Sequence, residues 1–294
     1  MGRTVKINII PEEIGPFVRH HGENPTMEYG FYYEWKTTLP FASDERMIRV
    51  WLPGTYDFSD PKRYPVLYMA DGQNLVDEEL TAYGDWHLDR VIRDLMQEGY
   101  PEPILVGIDC PKDPQQRMDE LNPPYPVKYF RRKEKPKHPI GDQFINYIVD
   151  ELKPMIDSLF PTDPRKEATG IGGSSMGGIM AFYGFLAYPN TFGYSHSFSP
   201  PFFFYSKRFL RKLLHIHQPN PETHGRVYLY VGGTKNERRF TRKVFYMRDL
   251  LEKYGYGTGT MEFDYDKQAI HHEEWWYKHS YPALRFWLGN IPKE

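Results

Sequence analysis

The chain has 294 residues, with 37 lysines and arginines against 39 aspartates and glutamates, for a formal charge of −2. That balance excludes the global positive field that gathers nucleic acid or an anionic membrane, and a single cysteine excludes an internal disulfide. A chain of this length buries roughly 75% of the surface it exposes when unfolded, enough for a core with a pocket and no metal or disulfide to hold it.

In residues 1–15, Ile7, Ile9 and Ile10 are interrupted by Asn8 and Pro11. No run reaches the ~7–15 apolar residues of a signal peptide, so a cytoplasmic protein is expected. The longest apolar-leaning run, residues 179–188, falls well short of the ~20 that cross a bilayer. Residues 1–45 carry Tyr29, Phe31, Tyr32, Tyr33 and Trp35 but no crossover helix. They read as edge strands or a lid in front of a catalytic domain over 46–294, the whole forming one structural unit.

From residue 45 onward short apolar runs alternate with amphipathic ones, the signature of β-α units and a mostly parallel sheet. The predicted strands are 47–52, 66–70, 104–108, 169–172, 194–198 and 227–231, with 261–265 as the last. Leu88, Val91, Ile92 and Leu95 predict a helix over 86–98. Phe144, Ile148, Leu152, Ile156 and Leu159 predict another over 143–159, which Pro154 should kink near Asp150 or restart. Two segments break the rhythm, 110–141 and 200–225, and read as insertions over the strand ends, where such sheets keep their sites.

Gly173-Ser174-Ser175-Met176-Gly177 fits G-x-S-x-G between the strand 169–172 and a helical run over 178–187. This context makes Ser175 the candidate nucleophile of an α/β-hydrolase fold. A serine on so tight a turn has strained backbone angles, and glycines two residues to either side remove side chains that would collide. The turn sets the hydroxyl at a helix N-terminus and points the Met176 amide toward a developing oxyanion. Ser174 is the decoy hydroxyl.

Such folds order their triad serine, acid, histidine, so the base belongs after the last strand. His271 is preferred there and His272 is the alternative, in a run over 270–276 where Glu274 and Trp276 anchor the turn. Adjacent residues point apart and no H-E-x-x-H pattern occurs, so no metal is expected at His271, His272, Glu273 and Glu274. Glu237 is the only carboxylate in the loop after 227–231 and is the candidate acid, with Asn236 or no strong acid as the alternatives.

The second oxyanion amide is expected from the loop after 66–70, at Gln73 or, failing that, Gly72. Gly72 would let the backbone approach a substrate carbonyl, and Asp71 would brace the turn. Asp71, Gly72, Trp86 and Ser199 are the candidate substrate-binding residues, with Trp86 equally readable as a core residue at a helix start. Residues 123–130 and 201–205 suggest aromatic walls for a phenolic acyl group or a sugar ring. Arg117, Arg131 and Arg132 read as a solvated basic loop, with recognition of a carboxylate or phosphate as the alternative, and Cys110 as an inert thiol.

Several motifs stand in order: Tyr64-Pro65-Val66-Leu67-Tyr68 leading to Asp71-Gly72-Gln73-Asn74, Gly84-Asp85-Trp86, Glu151-Leu152-Lys153-Pro154, residues 173–178, Phe198-Ser199-Pro200, and His271 with Glu274 and Trp276. Through them the chain resembles, over residues 45–290, the esterase family that includes enterochelin esterases, feruloyl esterase domains, esterase D and the mycolyltransferase antigen 85 proteins. The resemblance implies an α/β-hydrolase fold and a serine acyl-enzyme, with Ser175, His271, Gln73 and Met176 on matching positions. At the acid loop the chain departs from that pattern, because Lys235 and Asn236 precede Glu237.

The expected activity is hydrolysis of a small-molecule ester of a sugar, phenolic acid or siderophore-like compound. No cofactor, nucleic acid or membrane is expected, and homo-oligomerisation is left open. The rival readings are an acyltransferase using the same acyl-enzyme and a binding protein on a hydrolase scaffold. A carbohydrate-binding module would leave the ordered triad motifs unexplained.

Overall fold

A computed structural model describes residues 10–21, 26–81, 84–125 and 135–292. Its centre is a ten-stranded sheet in the order β1-β2-β3-β4-β6-β5-β7-β8-β9-β10. The strands are β1 (Glu13–Ile14), β2 (Phe17–Arg19), β3 (Phe31–Thr38), β4 (Glu45–Leu52), β5 (Val66–Ala70), β6 (Ile104–Ile108), β7 (Thr169–Ser174), β8 (Tyr194–Phe198), β9 (Arg226–Gly232) and β10 (Met261–Asp266). Strands β5 to β10 pair in parallel, whereas β1 to β4 join by antiparallel pairing, β4 against β6.

The helices are α1 (Leu88–Gln97), α2 (Pro114–Glu120), α3 (Gly141–Tyr147), α4 (Lys153–Leu159), α5 (Met176–Ala187), α6 (Lys207–His217), α7 (Pro221–His224), α8 (Arg238–Lys253) and α9 (Glu273–Leu288). The arrangement is the α/β-hydrolase fold. Central strands such as β5 and β6 are apolar without alternation and buried at every residue, because helices cover both faces of a parallel sheet. One apolar cluster holds Ile171, Ile179, Phe182 and Val231, and the other holds Trp86, Phe198, Trp276 and Trp287.

Three departures from the sequence reading have local causes. Helix α1 starts two residues later than the apolar spacing predicts because His87 stands in the left-handed region at φ 42°, its amide donating to Asp85 Oδ1 at 2.8 Å. The helix predicted over 143–159 is divided by a π turn, Ile148–Leu152. That widened turn accommodates Pro154, which has no amide hydrogen for the Asp150 carbonyl. Segment 200–225 is a crossover between β8 and β9 carrying the amphipathic α6, capped by Ser206, whose hydroxyl accepts from Phe209 N.

Of the N-terminal aromatics, Phe31, Tyr32, Tyr33 and Trp35 lie on β3, and Tyr29 precedes it. Tyr32 and Tyr33 lie on β3, buried and paired with Trp51 and Val50 of β4, which places them in the sheet rather than over the site. No helix among the described residues is long and apolar enough to cross a membrane.

Candidate active site

Of the six non-glycine residues with positive φ among the described residues, four follow sheet strands: Asp71 after β5, Ser175 after β7, Ser199 after β8 and Lys235 after β9. Backbone strain of this kind costs of order 1–3 kcal/mol per residue and persists where surrounding structure enforces it. Ser175 adopts φ 52°, ψ −117° as the N-cap of α5. Its amide donates to the Phe198 carbonyl at 2.9 Å, tying the elbow to β8.

A Cβ on Gly173 would lie 2.7 Å from the Gly177 carbonyl carbon, the collision that the flanking glycines avoid. The Met176 amide belongs to the first turn of α5, where no helical carbonyl is available to it. Ser174 ends β7 with its side chain buried.

Around Glu237 the packing is closed. Glu237 has no solvent exposure, and its Oε1 accepts from the Ser199 hydroxyl and, at 3.0 Å, lies against His271 Nδ1. Trp276 Nε1 donates to the same Ser199 hydroxyl at 3.3 Å. The His271 ring stacks on Phe240 with centroids 4.6 Å apart and meets Trp276 edge-on at 4.9 Å. The imidazole is therefore held on two sides by rings and at Nδ1 by a carboxylate.

His272 instead caps α9, its Nδ1 accepting from Glu274 N at 3.2 Å. The Asn236 side chain reaches only the His271 backbone amide, at 3.5 Å. The structure thus brings Glu237, not Asn236, to the His271 ring.

Gln73 lies on the 3₁₀ turn after β5 (Gly72–Asn74). Its side chain is clipped at both ends, Nε2 donating to Cys110 Sγ at 3.2 Å and Oε1 accepting from Cys110 N at 3.1 Å. Burial pushes the Cys110 thiol up to about 11, in keeping with an unreactive sulfur. Gly72 packs closely on β6, where a Cβ would sit 2.6 Å from the backbone of Gly107.

The other expected substrate contacts are also buried. Trp86 is 2% exposed and packs on Trp276, Phe198 and His196. Ser199 is fully buried. Trp86 therefore lies in the core, and Ser199 lies between Glu237 and Trp276. Of the expected aromatic walls, Phe202, Phe204 and Tyr205 are buried in the core, Phe203 is half-buried, and Tyr125 rests half-buried against Tyr183 and Phe209. Residues 126–130, with Arg131 and Arg132, lie outside the described residues.

Two groups beside the site escaped sequence reasoning. Arg117 on α2 is no solvated loop residue: its Nε and Nη2 each donate at 2.6 Å to the two oxygens of buried Asp71, a bidentate pair. The Asp71 carboxylate stands against the start of α5, 3.4 Å from where a Gly177 Cβ would be.

Glu273, the first residue of α9, is also buried, and its carboxyl is pushed up to about 7, first by burial and then by Asp71, with Arg117 opposing. A carboxyl raised in the folded state costs stability as pH climbs from its ordinary value near 4.5 toward 7, and the loss then levels off. Glu273→Gln should remove that slope. Denaturant unfolding at pH 5 and pH 8 should show wild type losing up to about 3 kcal/mol relative to the variant.

Among the described residues, Glu78, Asp85 and His87 bring ligand atoms within 4.8 Å of one another. They sit on the approach to α1, whose N-cap is His87.

A family model described as "Putative esterase" matches residues 42–286. The chain belongs to that family. This esterase is 23% identical over 250 residues to the uncharacterised protein YbbA of Bacillus subtilis, covering 83% of this chain and 93% of that protein. Its fold is similar to that of the BES protein from Bacillus cereus, at TM-score 0.68, 22% identity and coverage of 87% and 96% of the two chains. It is likewise similar to a siderophore hydrolase, EstB from Aspergillus nidulans, at TM-score 0.65, 17% identity and coverage of 93% and 100%. The protein is a carboxylic ester hydrolase acting on a small-molecule ester.

Proposed function

We propose that Ser175 is the nucleophile of a serine esterase with His271 as general base and Glu237 as the triad acid. The observation that carries this reading is the buried Glu237 carboxylate against His271 Nδ1 at 3.0 Å, which leaves Nε2 as the basic nitrogen. Ser175 Oγ attacks the ester carbonyl carbon and its proton passes to Nε2. The Met176 and Gln73 backbone amides stabilise the oxyanion. Collapse expels the alcohol, which takes the proton from His271. Water then gives a proton to the same nitrogen, attacks the acyl-enzyme, and releases the acid and free Ser175.

The substrate class proposed is an acyl ester of a sugar, phenolic acid or siderophore-like compound, supported by a fold shared with a siderophore hydrolase. A panel of 4-nitrophenyl acetate, methyl ferulate and an acylated sugar tests it. Saturable hydrolysis that is lost in Ser175→Ala is expected, and full activity in that variant would overturn the serine assignment.

A further inference from the structure

An open cleft of about 520 Å³ is lined by Lys235, Asn236, Arg238 and Arg239. It adjoins the base: Asn236 Oδ1 accepts from the His271 amide at 3.5 Å, and Arg239 lies over Phe240, the ring on which His271 stacks. Lys235, Arg238 and Arg239 are exposed. Among the described residues no carboxylate forms an ion pair with Lys235 or Arg238.

The cleft residues belong to a cation-rich stretch of the sequence. From Lys207 to Lys243 every Asp, Glu, Lys or Arg except Glu222 and Glu237 is a cation, in a chain whose formal charge is −2, and Glu237 is buried against His271. Within that stretch α6 meets α8, with Lys207 over the Tyr246 ring at 4.4 Å and Arg211 Nη1 donating to Tyr246 OH at 3.2 Å.

Cations at the mouth of a site with no carboxylate to neutralise them favour a ligand that brings the negative charge. We infer that this cleft binds an anionic group of the substrate, making the enzyme selective for esters that carry a carboxylate or comparable anion beside the scissile bond. The inference rests on the Ser175–His271 reading for where the scissile bond lies. Lys235 and Arg238 are the specificity-determining residues.

The test uses 3-acetoxybenzoate and its methyl ester, two acetates with nearly the same leaving group that differ in charge, followed by release of the phenol. In low salt the anionic ester should have a kcat/KM about tenfold above the neutral one, and 0.5 M salt should erode the ratio. A Lys235→Gln/Arg238→Gln variant should bring the ratio to about one.

A wild-type ratio near one at low salt, or a ratio the variant does not move, overturns the inference while cleavage of the neutral ester leaves the serine assignment standing. If neither ester is cleaved, the cleft is tested alone by titrating isophthalate into the protein. Binding about tenfold weaker in the variant sustains the anion site, and equal binding overturns it.

Discussion

Ser175→Ala is expected to lower kcat for an aryl ester by at least about 10⁴-fold, with His271→Ala similar and the double variant no worse than either. The non-additivity follows from shared work: a hydroxyl without its base is a weak nucleophile, and the base without the hydroxyl has no proton to take. The serine change should leave the fold intact, since the backbone hydrogen bond from residue 175 to Phe198 does not involve the side chain. Steady-state kinetics together with a thermal melt of each variant checks both halves of the expectation. A double variant much slower than either single one would mean that the two residues do not act as a unit.

Glu237→Gln is expected to lower kcat by about 10²–10⁴-fold. A glutamine there can turn an amide N–H toward His271 Nδ1, which favours the tautomer with its proton on Nε2 and removes the base. It also withdraws the charge that stabilises the imidazolium. The Ser199 hydroxyl that now donates to Glu237 would remain beside the amide oxygen, so the loss should appear in kcat more than in stability. A Glu237→Asp kcat at least about tenfold above that of Glu237→Gln would mark the charge, and not merely the packing, as the active ingredient. An unchanged kcat in Glu237→Gln would leave the enzyme as a serine and histidine pair.

The parts of this site legible in the sequence are those whose chemistry is local. Ser175 announced itself through glycines at fixed offsets and a strand before it. Glu237 was readable as the only carboxylate in one short loop. Strands such as β5, β6 and β9 are readable because a buried parallel sheet demands apolar runs; of the seven predicted strands three have the observed bounds, and the other four differ from them by one or two residues. The α1 boundary was missed because it depends on a left-handed histidine, which apolar spacing does not register.

What stayed hidden depends on long-range contact. Arg117 and Asp71 are 46 residues apart, and no local pattern pairs a helix arginine with a turn aspartate at that distance. Trp86 and Ser199 carry motif-level signals but not their depth: Trp86 reads equally as a substrate contact or a core residue and is buried on Trp276, and Ser199 reads as a substrate contact but is buried against Glu237 and Trp276. The cation-rich stretch was masked by the overall charge of −2, because acids elsewhere in the chain offset it. Glu273 was noticed only as a possible metal ligand, since its raised carboxyl comes from burial and from Asp71.

The most direct test is active-site labelling with a fluorophosphonate, followed by peptide mass spectrometry on the intact wild-type protein. The reagent phosphonylates a serine only where a base activates it and an oxyanion site receives the phosphoryl oxygen. One adduct on Ser175, slowed strongly in His271→Ala, is the predicted result. Labelling elsewhere, or none at all in a protein that cleaves esters, would contradict the assignment of Ser175 as the nucleophile.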